Sequence, residues 1–310
     1  MSVLSSRYFH CEEAAFEHLE SIVWANGVTC PHCGSMSGKH YDLRKTRTGL
    51  RKCSDCRKQF TVKVGTVFES AHIPLNKMLQ AVYLMCASKK GISAHQLHRV
   101  LGITYKSAWF LCHRIREAMR SGDLAPMGGN GGAVEVDETF IGREPGKEKK
   151  RAYHHKMKVL SLVDRETGKA RSMVVDNLHP KTLVPILKEN IDRESRVMTD
   201  EAGQYHHLKN DFADHAFTRH GAGEYVSKTD RTIHTNTIEG YFSIFKRGMK
   251  GTYQHCGKQH LHRYLAEFDF RYNNRSALGV EDKERSANAL EGIVGKRLTY
   301  QGSCRAQVIL

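Results

Sequence analysis

The 310-residue chain has no long hydrophobic run. Its most apolar stretches, such as Ala81 to Ala87, fall far short of the roughly 20 residues a bilayer span needs, which excludes a transmembrane helix. The first ten residues carry neither the charged start nor the apolar core of a secretory signal, so a cytoplasmic, nucleoid-associated protein is expected. There is no internal repeat and no low-complexity tract, which excludes a repeat array. Acidic residues are in short supply: 33 Asp and Glu face 48 Lys and Arg, a formal charge of +15 with a pI near 9.4. Charge of that sign and size calls for a polyanionic partner, nucleic acid ahead of an anionic lipid surface. The length allows two or three domains, each able to bury a core.

What is present begins with cysteine. Nine Cys is an odd number, and four of them form Cys30-Pro-His-Cys33 and Cys53-Ser-Asp-Cys56. Two Cys-x-x-Cys knuckles in a reducing compartment indicate metal before disulfide. The pairs can meet as a tetrahedral thiolate site for one structural zinc, with no open position for water. Buried or redox cysteines are the plainer alternative, which the paired spacing disfavours. Cys11, Cys86, Cys112, Cys256 and Cys304 are scattered, and Cys86 and Cys112 fall within helical patterns as small core residues.

Residues 8 to 28 read as a helix leading into this module, and the segment from Cys30 to about Phe68 as small hairpins around the metal. From Leu75 to about Arg120 the pattern is helical, with Ser93 and Thr104 as N-caps and turns at Gly91 and Gly102, the outline of a helix-turn-helix. On its last helix Trp109, Leu111, Cys112 and Ile115 are expected inside, leaving Lys106, His113, Arg114 and Arg116 outside. Lys106, Arg114 and Arg116 are therefore candidate DNA contacts; a plain three-helix unit with a solvated basic face is the alternative. Ser121 to Gly132 reads as a flexible linker. Strands are expected at Val134–Ile141, Met157–Asp164, Ala170–Val175, Arg196–Thr199 and His215–Thr218, with a helix at Pro180–Asn190 and another after the fourth strand. The fold class is multidomain α+β, ending in a mixed α/β domain. Its divisions are 1–70 (helix and cysteine module), 71–122 (helix-turn-helix), 133–275 (mixed α/β) and 276–310 (basic tail with a small helix near Leu290–Ile293).

Three acids and a lysine carry the chemistry. Asp137 and Asp200 fall in or at the end of strands, and Glu239 lies seven residues, nearly two turns, before Lys246 on one helix face. Carboxylates suit hard divalent ions, and such ions suit phosphodiester chemistry. Each acid has a bland reading: Glu135 shares the face of Asp137, Asp200 could cap the next helix, and Glu239 could be solvated. Asp164 and Asp176 sit where turn chemistry explains them. Lys246, Arg247 and Lys250 would hold a DNA end, and the Lys147–Lys156 tract is either a phosphate grip or a solvated hairpin tip.

The runs Val136-Asp-Glu-Thr-Phe-Ile-Gly142, Thr199-Asp-Glu201, His234-Thr-Asn-Thr-Ile-Glu-Gly-Tyr-Phe-Ser-Ile-Phe-Lys-Arg-Gly248 and His260 to Asn273, together with the cysteine quartet, resemble the ISXO-type insertion-sequence transposases, related to the Merlin group. The resemblance covers most of residues 10 to 275. It implies a zinc ribbon, an RNase H-like fold and a DDE centre of Asp137, Asp200 and Glu239 holding Mg²⁺ or Mn²⁺, two ions being expected, with Lys246 positioning DNA. Some members use Asn or His as the third residue, so Asn236 and His234 are supporting candidates beside Glu239. The expected function is a transposase that binds terminal inverted repeats, cuts there and joins the ends to target DNA, as a homodimer or larger assembly on double-stranded DNA. A metal-dependent nuclease without joining and a non-catalytic DNA-binding regulator are the rivals.

Overall fold

The computed structural model describes residues 2–36, 39–122, 125–206, 208–219, 221 and 223–299; Cys304 lies outside them. The chain forms two compact units, one of residues up to Arg120 together with those from Arg275, the other Ser121–Asn274.

The first unit opens with α1 (Glu12–Val23), shorter than the expected 8–28 because a 3-10 turn at Arg7–Phe9 precedes it and Trp24 ends it. Three two-residue strands follow, β1 (Tyr41–Asp42), β2 (Arg51–Lys52) and β3 (Gln59–Phe60), paired antiparallel in that order. Next come α2 (Leu75–Ala87), α3 (Ala94–Leu101) and α4 (Tyr105–Met119). The caps read from sequence are present: Ser93 accepts from the Gln96 N–H, Thr104 from the Ser107 N–H, and Gly102 takes φ +58° between the two helices. The start of α2 is capped from elsewhere. Glu12 of α1 accepts from the Leu75 and Asn76 N–H groups at 2.8 and 3.0 Å, setting a carboxylate on the positive end of the helix.

The second unit is built on one five-stranded sheet of order β6-β5-β4-β7-β8. Its strands are β4 (Ala133–Ile141), β5 (Met157–Asp164), β6 (Ala170–Val175), β7 (Arg196–Asp200) and β8 (Asp214–Thr218). The first three pair antiparallel, while β7 and β8 join parallel to β4. An antiparallel meander extended at its first strand by parallel strands is the expected RNase H-like arrangement. Between β6 and β7 runs α5 (Pro180–Asn190); after β8 come α6 (Asn236–Gly248) and α7 (Lys258–Asn273). The helix expected after the fourth strand is absent among the described residues: two 3-10 turns, Gly203–Tyr205 and Leu208–Asn210, occupy that segment.

Alternation along β4 sorts its side chains between two cores. Val134 and Val136 join Leu183, Leu187 and Tyr205 on the α5 face, whereas Ile141 joins Ile238, Tyr241, Phe245 and Phe268 on the α6–α7 face. A polar node ties that second face together: Asp269 of α7 accepts from the Tyr241 hydroxyl at 2.6 Å and from the Ser172 N–H and hydroxyl, both at 2.8 Å. Burial pushes the Asp269 carboxyl up to about 6, against the pull of those hydrogen bonds. Part of the expected linker is packed structure. Met127 is buried and hydrogen-bonds through its backbone with Asn190 and Asp192. Gly128, at φ +81°, lies where a Cβ would come within 2.4 Å of Val134 and 2.6 Å of Ser195.

The last segment corrects the expectation of a basic tail. Residues from Arg275 belong to the first unit, with α8 (Asp282–Glu291) rather than a short helix near 290–293. Basic side chains cap two helix C-termini there: Arg285 donates to the Cys86 carbonyl at 3.1 Å, and Lys296 to the Ala118 and Arg120 carbonyls at 3.0 and 2.7 Å. Leu290, Ile293 and Leu298 are buried. At roughly 1.5–3 kcal/mol per large apolar side chain, their loss rivals the stability of a whole domain. Truncation after Asn274 is therefore expected to unfold the helices of the first unit while leaving the second folded, measurable as the loss of one thermal transition.

Candidate active site and zinc centre

The four cysteine sulfurs converge. All lie within 4.8 Å of one another, with Cys30–Cys56 and Cys33–Cys53 both at 3.7 Å. A tetrahedron with Zn–S bonds of about 2.3 Å has edges of about 3.8 Å, so the quartet has the dimensions of a zinc site. Each knuckle turns the same way. Gly34 and Arg57, the residues after the second cysteine of each pair, are both left-handed, at φ +74° and +61°. Backbone bonds from Gly34 to Cys30 and from Cys53 to Lys58 close the turns. Glycine meets that conformation without strain and arginine does not, so Arg57→Gly is expected to leave zinc-site stability equal or raise it by up to about 1 kcal/mol in thermal denaturation.

At the other centre, Glu135, Asp137 and Ile141 alternate onto the α6 side of β4. The parallel pairing of β4 with β7 ends at Glu135 beside Met198; Asp137 and Asp200, the last residue of β7, each lie two residues further along their strands. Asp200 thus ends β7, while Asp137 stands mid-way along β4, just past the stretch that β7 pairs with. Glu239 lies in the first turn of α6, over the same face. Electrostatics records the proximity. The Asp137 carboxyl is pushed up to about 8, first by burial and then by the charges of Glu138, Asp200 and Glu239; the Glu138 N–H, donating at 2.7 Å, opposes the shift. The charges acting most on Asp137 are all carboxylates, the environment a divalent cation would neutralise. Among the described residues only the cysteine quartet brings three or more ligand atoms all within 4.8 Å, so the three carboxylates share a face without closing to that distance.

Glu138, which sequence reading passed over, points to the opposite side. Its carboxylate accepts from the Tyr205 hydroxyl and from Gln204 at 3.0 Å, and burial raises its pKa.

Glu135 and Arg165 form a clamp that sequence reading missed. Glu135 is fully buried, accepting from the Arg165 Nε at 2.7 Å and from the Ile238 N–H of α6 at 2.8 Å. Arg165 also donates to the carbonyls of Thr232 and His234 and to His234 Nδ1. His234 is thereby held neutral, since burial and the Arg165 charge lower its pKa. Asn236 begins α6 as an exposed residue. The start of α6, with no cap from Thr235, is thus fixed to β4 two residues before Asp137. Arg165→Met leaves Glu135 charged and buried without its partner and is expected to cost about 3–5 kcal/mol, read by thermal denaturation. The sequence carried only a faint signal, a carboxylate on the buried face of a strand.

The candidate DNA contacts divide. Arg247 and Lys250 are exposed and Lys246 is half-buried, its ammonium 5.6 Å from the Phe242 ring. Lys106 is exposed, but His113, Arg114 and Arg116 are buried, against expectation. The reason is that α4 runs through the middle of its unit, flanked by α2, α3 and α8, with Arg114 stacked 4.7 Å from the Phe110 ring. Asp164 and Asp176 do what turn and surface chemistry suggest: Asp164 accepts from the Glu166 and Thr167 N–H groups, and Asp176 pairs with Lys258.

Comparison with known proteins agrees with this anatomy. Residues 130–273 match the ISXO2-like transposase domain and residues 10–59 the transposase zinc-ribbon domain. An uncharacterized protein in transposable element ISH50 of Halobacterium salinarum is 31% identical over 283 residues, covering 85% of this chain and 91% of its own. Among solved structures, a chain from the simian T-cell lymphotropic virus intasome in complex with PP2A regulatory subunit B56 gamma is 12% identical with a TM-score of 0.28. That match covers 56% of this chain and 63% of the other, and at that score it carries no argument. With its cysteine ribbon, its mixed sheet and a relative matched along most of its length, the chain belongs to the ISXO2-like insertion-sequence transposases.

Proposed function

We propose that the protein binds the terminal inverted repeats of its element, cuts at the element ends, and joins the freed 3′ hydroxyls to target DNA. Asp137, Asp200 and Glu239 are the catalytic acids in this reading. The observation that carries it is that β4, β7 and α6 present these three carboxylates on one face, with Asp137 responding to the charge of the other two. Mg²⁺ or Mn²⁺, two ions together, would supply activation of the attacking oxygen and stabilisation of the leaving one. The chain's own part is positional. Lys246, Arg247 and Lys250 neutralise phosphates beside the acids, Lys106 does so from the helical unit, and the Glu135–Arg165 clamp holds Glu239 at its station. The zinc ribbon and helices recognise the end, and a dimer or larger assembly brings two ends together.

Supplying a pre-cut terminal-repeat duplex and a supercoiled plasmid with Mg²⁺ tests the proposal: joined product is expected, whereas cutting alone would assign a nuclease. Binding is expected to weaken steeply with salt as counterions return to the phosphates. For about six phosphate contacts, raising salt from 50 to 200 mM costs about a thousandfold in affinity, readable by fluorescence anisotropy.

A further inference from the structure

Beside the acidic face the second unit contains a cavity of about 380 Å³. Its floor is apolar and buried, made by Ile141, Met157 and Met249. Phe140 borders it from the next strand position, its ring turned to the Glu138 side of β4 and stacked on Tyr153 at 4.2 Å with 20° between the planes. Lys156, Lys246 and Lys250 also line it. The position is set by two elements at once. Ile141 lies four residues beyond Asp137 on the same side of β4, and Lys246 seven residues beyond Glu239 on α6. At about 3.3 Å per strand residue and 1.5 Å per helix residue, the offsets are about 13 and about 10 Å.

The lining distinguishes among ligands. A bare phosphate would use the lysines and leave Ile141 and the methionines exposed to it, and an apolar ligand would bury three ammonium groups without a counter-charge. A nucleotide matches both halves, an apolar base face and an anionic backbone. A base stacked within a duplex cannot enter a recess, but one turned out of the stack can. Along a stacked strand at about 3.4 Å per nucleotide, about 10 to 13 Å is about three to four nucleotides.

We propose that this cavity receives one unstacked nucleotide of the element end, near the third or fourth from the cut, with its base against the Ile141, Met157 and Met249 floor and its flanking phosphates on Lys156, Lys246 and Lys250. The assignment rests on Asp137, Asp200 and Glu239 being the cutting centre, and adds that the strand leaving that centre is distorted before it is cut.

The test uses full-length protein and terminal-repeat duplexes carrying 2-aminopurine singly at each of the five positions on either side of the cut, without Mg²⁺. Anisotropy reports binding, and 2-aminopurine emission reports unstacking. The expected result is a several-fold rise in emission at one position near the third or fourth, lost in Met249→Ala and in Lys156→Ala while the duplex stays bound. Lys156 is only half-buried, so its variant reports even if Met249→Ala folds poorly. Saturated binding with no position brightened, or a rise that persists in both variants, would overturn the assignment. Absence of any cutting by the wild-type protein with Mg²⁺ would remove the reading beneath it, and that is a separate assay.

Discussion

Asp137→Asn is expected to lose cutting and joining by at least about a thousandfold while binding terminal-repeat DNA as tightly as the wild type. The magnitude follows from losing several kcal/mol of transition-state charge stabilisation, about 4 kcal/mol being a thousandfold. A regulator whose acids are structural would keep its function in this variant, so retained activity would end the catalytic reading. The same substitution has a second signature. Without metal, burial first and the neighbouring carboxylates second push the Asp137 carboxyl up to about 8, from the ordinary 3.8. Both states are neutral there below about pH 4, and as pH rises toward 8 the unfolded chain ionises freely while the folded one resists. Folding stability is therefore lost across that window. Asparagine cannot ionise, so the variant should melt higher than the wild type at pH 8 without metal and no higher at pH 4. Millimolar Mg²⁺ should raise the wild-type melting temperature at pH 8 and leave the variant nearly unmoved. A variant inactive because it misfolds would show the opposite order.

Cys53→Ser is expected to unfold the ribbon. Cys53 is fully buried, and the core around it consists of Cys30, Cys53 and Phe60 with a few partly buried neighbours. Three strands of two residues each cannot hold together on so little apolar area. The ion is left as the main source of stability, and structural zinc supplies about 10–16 kcal/mol in small modules. Trp24 packs edge-on against Phe60 at 5.9 Å and reports the loss directly through a red shift in emission. Proteolysis should open the segment between the knuckles while the sheet domain stays protected. An unchanged Trp24 spectrum after zinc is stripped would show that the module stands without metal.

Much of this architecture could be read from residue order alone. Ser93, Gly102 and Thr104 announce their helix boundaries because caps and left-handed turns are local events, settled by one side chain and its own backbone. The Cys-x-x-Cys pairs were equally legible, since two residues between ligands fix a knuckle wherever it occurs. Strand ends at Asp164 and Val175 follow from turn residues beside apolar runs. The burial of Arg114 and Arg116 was not legible, because it depends on α8, some 170 residues further along, covering a face that looks solvated when α4 is considered by itself. The clamp was hidden for a similar reason. Glu135 reads as a rival to Asp137 until Arg165 and the start of α6 are seen to consume its oxygens. Asp137, Asp200 and Glu239 were visible as acids at suggestive places, but it takes the parallel pairing of β4 with β7 and the docking of α6 on β4 to bring their elements together.

The loan of carboxylates between elements bears on how the molecule matures. Neither α2 nor α6 has a side-chain cap of its own at its start, and each takes one from a segment roughly 60 or 100 residues upstream. A nascent or partly melted chain consequently leaves the first turn of α6 frayed, with Glu239 swinging free until the central strand has docked. On the proposed reading of Glu239 as a catalytic acid, cutting would then require the docked domain and not the helix alone.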